Sequence, residues 1–214
     1  MGFFNRTSGS RGYAARRGDG AKPGGVAWII VFLGNPGPRY ANTRHNVGFM
    51  ACDALAKTLK IKVDRLKFKA LTATAEVGGE RAFLMKPQTY MNLSGVAVQQ
   101  AMSFYKVPPE RVLVVCDDTA IAEFSLRIRR SGSAGGHNGL KSIIEKCGGE
   151  GFPRVKIGVG GKAHPDMDLA DHVLGAYTAQ SLVDMQVTCA RAAEAVEAVL
   201  RDGFDKAMGA YNTK

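Results

Sequence analysis

Two short apolar runs, each closing on polar residues, constrain this chain more than any other feature. Val26 to Leu33 leads into Gly-Asn-Pro-Gly, and "RVLVVCD" (111–117) ends on Asp117-Asp118. Runs this short and this continuously apolar read as strands buried on both faces, as in a parallel sheet. A third, "RVKIGVG" (154–160), has the same character. Between them lie stretches with helical spacing. "NVGFMACDALAKTL" puts Val47, Met50, Ala54, Leu55 and Leu59 on one face. Residues 93–105 repeat that pattern, Leu140 to Cys147 is a helix stopped by Gly148-Gly149, and 179–201 is a long helix capped by Thr178 and ended near Gly203. Two further strands, near 67–77 and 81–86, form a hairpin over Gly78-Gly79. "FSLRIRR" (124–130) alternates apolar with basic residues, so it is a half-exposed strand with a basic outer side. The expectation is a single three-layer α/β domain over residues 26–214: a twisted mixed sheet, mostly parallel, with helices on both faces.

Residues 1–25 do not belong to that pattern. They are rich in Gly, Arg and Ser and short of large apolar residues, so they are expected to be a flexible basic tail. They contain no apolar core of a signal peptide, and Arg6 stands where myristoylation needs Ser or Thr. No apolar run approaches the roughly 20 residues that span a bilayer, so no membrane partner is expected. Four scattered cysteines without a CxxC pair (Cys52, Cys116, Cys147, Cys189) argue against a zinc site and a disulfide framework, and fit a reducing cytoplasm. The net charge is +10. It concentrates in the tail, with five basic residues and one acid, and in 127–162, with eight and two; the remaining 16 basic and 16 acidic residues cancel. A folded segment that basic suggests a surface for a polyanion such as RNA or DNA.

Common catalytic signatures nearly match and then fail. Residues 131–135, Ser-Gly-Ser-Ala-Gly, lack the first glycine of a nucleophile elbow. "GHNGLKS" places Leu140 between the glycine and lysine of a Walker A ending. "GVGGKA" (158–163) fits a dinucleotide fingerprint, but Pro165 follows where a helix would have to open. No histidine pair has HExxH spacing. What remains is a set of polar residues at the ends of strands: Asn35 and His45, "TYMNLSG" (89–95), Asp117, and "SGSAGGHNG" (131–139). Ligands of open α/β sheets bind beyond the carboxyl ends of the strands. One candidate base (His45), one carboxylate to orient it (Asp117) and several amides (Asn35, Asn92, Asn138) suffice for hydrolysis by an activated water. Neither a covalent nucleophile, a metal nor a cofactor is expected.

"FLGNPGPRYANTRHNVGF", "KPQTYMNLSG", "FYKVPPERVLVVCDD" and "GSAGGHNGLKSII", with a fainter "FPRVKIGVGGKAHPDMDLADHVLG", closely resemble bacterial peptidyl-tRNA hydrolases. These segments follow the family's order and spacing over roughly residues 28–200. The resemblance implies a single α/β domain, a monomer, that hydrolyses the ester joining a peptide to the 3′ ribose of tRNA. It implies contact with the acceptor end and the 5′ phosphate of tRNA. A non-catalytic RNA-binding protein on the same fold is the alternative.

Ester hydrolysis near neutral pH suits imidazole, so His45 is assigned as general base and Asp117 as the group that fixes its tautomer. Asn35 would orient the water or the peptide backbone, and it is also a natural turn residue. Asn92 and Asn138 suit the peptide carbonyl and amide, and by resemblance Asn92 sits by the catalytic water, where it could stabilise the oxyanion. Met91 walls the peptide groove or belongs to the core. Tyr40 could stack on the terminal adenine or shape the site. By resemblance Arg129 and Lys156 grip the 5′ phosphate. His137 is either structural or a tRNA contact. One departure stands out: after Asp117-Asp118 the chain reads "TAIAEFSLRIRR", without the family's usual acid, proline and glycine turn. That change falls directly after Asp117, the residue expected to reach His45.

Overall fold

In the computed structural model, residues 25–212 are described. The expected tail falls almost wholly outside them.

The first apolar run forms β1 (Trp28–Phe32), and nearly all of it is buried. It sits at the centre of a seven-stranded sheet with β2 (Arg65–Lys67), β3 (Ala70–Val77), β4 (Glu80–Pro87), β5 (Val112–Asp118), β6 (Leu126–Arg129) and β7 (Arg154–Gly158), in the order β2-β3-β4-β1-β5-β7-β6. The inner strands β4, β1, β5 and β7 are parallel, as continuous apolar runs require. The outer pairings β2/β3, β3/β4 and β6/β7 are antiparallel, so parallel and antiparallel pairings are equal in number. For β3/β4 the cause is local. Gly78 and Gly79 both take left-handed φ (57° and 83°), and that two-residue turn returns the chain alongside itself.

Helices α1 (Val47–Thr58), α5 (Ala179–Asp202) and α6 (Phe204–Tyr211) cover one face. Helices α2 (Ser94–Tyr105) and α3 (Asn138–Cys147) cover the other. Each face has its own core, one around Phe32, Leu55 and Val196, the other around Val31, Val114 and Ile143. On the second face α2 and α3 cross closely at Gly95, where a Cβ would collide with the Ser142 carbonyl; the Gly95 N–H donates to the Ser142 hydroxyl at 3.0 Å.

Three elements were not expected from the sequence. β2 is only three residues long and exposed throughout, so it carries no alternation. The six-residue α4 (Leu169–Leu174) is capped by Asp168, whose side chain accepts from the Ala170 N–H. α6 continues beyond the Gly203 break. The turn before α1 is also more compact than a simple entry: two short 3-10 turns, Pro38–Tyr40 and Arg44–Asn46, precede the helix.

Candidate active site

The ends of β1 and β5 lie side by side in parallel register, Phe32 opposite Val115. Whatever follows each strand is therefore brought together. After β1 come the two 3-10 turns, the second of which contains His45. β5 itself ends on Asp117. The His45 ring nitrogen Nδ1 lies 2.9 Å from both carboxylate oxygens of Asp117. A carboxylate only accepts, so Nδ1 carries the hydrogen and Nε2 is left with its lone pair. Nε2 makes no hydrogen bond with a described residue, and His45 lines a cavity of about 260 Å³. The unusual 119–125 loop therefore leaves this pair intact. Its own start is tied down, because the Asp118 carboxylate accepts from the Ala120 N–H at 2.8 Å.

Asp117 has a second imidazole partner. The Gly139 and Leu140 N–H groups, at the first turn of α3, donate to His137 Nδ1 at 3.1 and 3.3 Å. The hydrogen on His137 is therefore on Nε2, which donates to Asp117 Oδ1 at 3.0 Å. His137 thus caps α3 and fixes the carboxylate, and it also lines the cavity. The two rings stand 4.8 Å apart. His45, Asp117 and His137 are also close enough together to hold a cation. Their facing nitrogens, however, point hydrogens at the carboxylate rather than lone pairs, so the set suits a hydrogen-bonded triad.

Burial is the largest influence on both ionisable partners. It works to lower His45, but the charge and hydrogen bond of Asp117 outweigh it, and the imidazole pKa is raised above its ordinary value. Burial works to raise Asp117, but His137 and His45 outweigh it and hold the carboxyl well below the usual carboxylate range. Asp117 is thus an anion throughout the physiological range.

Asn35 is placed by Asn46, the residue after His45. The Asn46 side chain accepts from the Asn35 N–H at 2.9 Å and donates to the Asn35 carbonyl at 3.0 Å. The Asn35 side-chain oxygen in turn accepts from the Met91 N–H at 2.9 Å. Asn35 therefore braces the 89–92 segment against the end of β1, and it borders a neighbouring cavity with Asn46, Phe49 and Lys86. The signal for Asn46 was its position next to His45 in a turn that must satisfy its own backbone. Met91 is a core residue, packed where a Cβ on Gly139 would meet its sulfur. Asn92 is exposed just beyond it. Asn138, the first residue of α3, lines the same cavity as His45. Tyr40 does not line it; its ring carries the Arg39 guanidinium at 4.5 Å.

The basic residues divide. Arg127 pairs with Lys156 and Arg129 with Arg154 across β6 and β7, so all four share one sheet face, while Leu126 and Ile128 point into the opposite core. Arg129 is exposed. The Lys156 ammonium lies 2.7 Å from Asp118, on the cavity wall. Arg154 is fully buried. Its guanidinium donates to the carbonyls of Gly132, Ser133, Glu150 and Phe152 and lies over the Phe152 ring. It is therefore a clamp on the loop that leads to His137 rather than part of the outer basic surface. Arg44 is half-buried: it lies over the Tyr177 ring at 4.8 Å and 3.7 Å from Glu123, and its backbone N–H donates to the Gly175 carbonyl. This ties the His45 turn to the segment after α4, whose residues Leu169, Ala170 and Val173 form the far wall of the cavity.

Known proteins share both sequence and fold with this chain. The Alkaliphilus metalliredigens peptidyl-tRNA hydrolase is 50% identical over 186 residues, 86% of this chain and 99% of that protein. The corresponding protein of Caldanaerobacter subterraneus subsp. tengcongensis is 50% identical over 185 residues, again 86% and 99%. The crystal structure of peptidyl-tRNA hydrolase from Acinetobacter baumannii superposes with a TM-score of 0.80 at 33% identity, covering 87% of this chain and 96% of that one. With the peptidyl-tRNA hydrolase profile matching residues 29–214 as well, the chain belongs to the peptidyl-tRNA hydrolase family.

Proposed function

We infer that this protein hydrolyses the ester between a peptide and the 3′ ribose of tRNA, with His45 as general base. The observation that carries the reading is the His45–Asp117 pair: a buried imidazole whose tautomer is fixed at Nδ1 and whose Nε2 opens on a cavity. A water held at Nε2 loses its proton to the ring as its oxygen attacks the ester carbonyl. The imidazolium that forms is stabilised by Asp117. The tetrahedral intermediate then collapses, and the ribose 3′ oxygen leaves with the proton from Nε2. Free peptide and tRNA result, and no covalent enzyme intermediate forms.

Asn138, on the cavity wall, offers its amide N–H groups to the developing oxyanion, and exposed Asn92, which follows the Met91 packed at Gly139, is the second donor. Asn35 supports this arrangement by fixing the segment that carries Asn92. Tyr40 offers a stacking surface to the RNA end from outside the cavity. Arg129 and Lys156, on one sheet face, receive the 5′ phosphate, with Asp118 setting where the lysine stands. A protein that only bound RNA would have no use for a tautomer-locked base facing a cavity. The test is release of peptide from a purified N-blocked aminoacyl-tRNA. Wild type should release it and His45→Ala should not; equal release by both would remove His45 as the base, and none by either would remove the activity.

A further inference from the structure

The near-cancellation of charge outside the tail and residues 127–162 hides a local excess. Residues 57–69 hold six basic residues (Lys57, Lys60, Lys62, Arg65, Lys67, Lys69) against one acid, Asp64. All six cations are exposed. They lie on and beside β2, at the opposite edge of the sheet from β6, with three strands between β2 and the catalytic β5. Lys62, Arg65 and Lys67 are joined by Arg81 of β4 around a cavity of about 610 Å³ whose lining contains no acid. None of these four forms an ion pair with a described residue. Such a concentration of unneutralised cations repels itself and gains by meeting an anion.

Aromatic rings stand among the cations. The Lys67 ammonium lies 4.0, 4.7 and 5.2 Å from the ring centres of Phe104, Phe68 and Tyr105. Phe104 is 59% exposed and Leu66 is 74% exposed. Tyr105 and Phe83 form the apolar floor of the cavity. Phe68 and Lys69 make the two-residue turn between β2 and β3 with φ of 52° and 54°. A bulky side chain is strained there, and such turns normally use Gly or Asn. The Phe68 ring is held in place by Phe83, Phe104 and Tyr105, which keeps the turn and its flanking lysines fixed.

Cations that track a backbone, interleaved with rings on which bases can stack, are what single-stranded nucleic acid requires. A lipid surface would be met by a flat or convex apolar face, whereas this one is concave with threonine hydroxyls (Thr72, Thr74) in its lining. We propose that the β2 edge is a second RNA-binding surface, for a single-stranded segment other than the acceptor end that reaches His45. It is separate from the hydrolytic reading and can fail without it.

The test uses the full chain and a short labelled 5′-hydroxyl oligouridylate, which offers no terminal phosphate to Arg129 and Lys156. Binding is followed by anisotropy across a salt series. Wild type should bind. The triple variant Lys62→Gln/Arg65→Gln/Arg81→Gln should bind at least about tenfold more weakly, with the salt slope reduced by roughly 2, as three lost contacts to a single strand predict. Phe104→Ala should weaken binding with the slope unchanged, because stacking releases no counterions. The triple variant and Phe104→Ala should both cleave N-blocked aminoacyl-tRNA at the wild-type rate. The proposal is overturned by no binding in wild type, by unchanged affinity in the triple variant, or by an equal loss in Arg129→Ala. Displacement of the oligonucleotide by poly-glutamate of equal charge would also overturn it, as would tighter binding to phosphatidylserine vesicles.

Discussion

At the scale of single residues, the site works by fixing hydrogens. Asp117 accepts from two imidazoles, and each of those imidazoles has its other nitrogen committed differently. His137 uses Nδ1 to cap α3, and His45 leaves Nε2 without a hydrogen bond to a described residue, beside the cavity. His45→Ala should lower the hydrolytic rate by about 10²–10⁴, measured by peptide release. Asp117→Asn should give a loss of similar order while leaving tRNA binding intact in a gel-shift assay. The pH dependence follows from the raised His45 pKa. Protonated His45 cannot accept the water's proton, so kcat/KM should fall as pH drops, with its inflection above the ordinary imidazole value in wild type. Asp117→Asn should move that inflection down. Stability runs the opposite way for the two groups. His45 stabilises the fold below its unfolded pKa and loses that contribution as pH rises through the raised value. Asp117 stabilises it above the unfolded carboxyl pKa and loses it under strong acid.

Arg154 presents a different residue-scale problem. A buried cation held by four carbonyls and no carboxylate depends on the fork geometry of guanidinium. Arg154→Lys keeps the charge and loses most of the bonds. It should cost about 2–4 kcal/mol in chemical denaturation, and should weaken activity only through the loop that carries His137.

At the scale of elements, position matters more than composition. The His45 turn and β5 meet because β1 and β5 are parallel neighbours, and α3 meets them because α2 and α3 pack tightly enough to need Gly95. Gly95→Ala drives a methyl into the Ser142 carbonyl and should destabilise the protein by about 1–3 kcal/mol, read as a lowered Tm. The β6/β7 ribbon puts Arg129 on the same face as Lys156. Arg129→Ala should weaken tRNA binding and reduce its salt slope by roughly 1; an unchanged slope would remove Arg129 from the phosphate contacts.

For the whole molecule, the sheet is graded from a buried centre to exposed edges. β1 is almost entirely buried, whereas β2 is exposed along its length. Native-state hydrogen exchange should show β1 and β5 amides exchanging only through global unfolding and β2 amides exchanging through local opening. The same gradient explains what could be read without coordinates. Continuous apolar runs too short for a helix and bounded by turn residues read as buried strands, and residues at helical spacing serve one packed face. Hence β1, β5, β7, α1, α2, α3 and α5, the α/β class and the polar strand ends were all legible in the sequence. So was the pairing of His45 with Asp117, an imidazole and a carboxylate placed after two neighbouring strands. Hidden from it were the elements without a period: β2 with no buried face, and α4 with only six residues. Equally hidden were the partners: Asn46 around Asn35, His137 on Asp117, Asp118 on Lys156, and the burial of Arg154, counted at first with the surface charge. Those depend on which chain segments meet, and meeting is decided by strand order and register rather than by nearness in sequence. The composition and spacing of this chain determined which elements form and which side chains can react; only the tertiary structure decided which of them touch, because a hydrogen bond or a buried charge is defined by its partner.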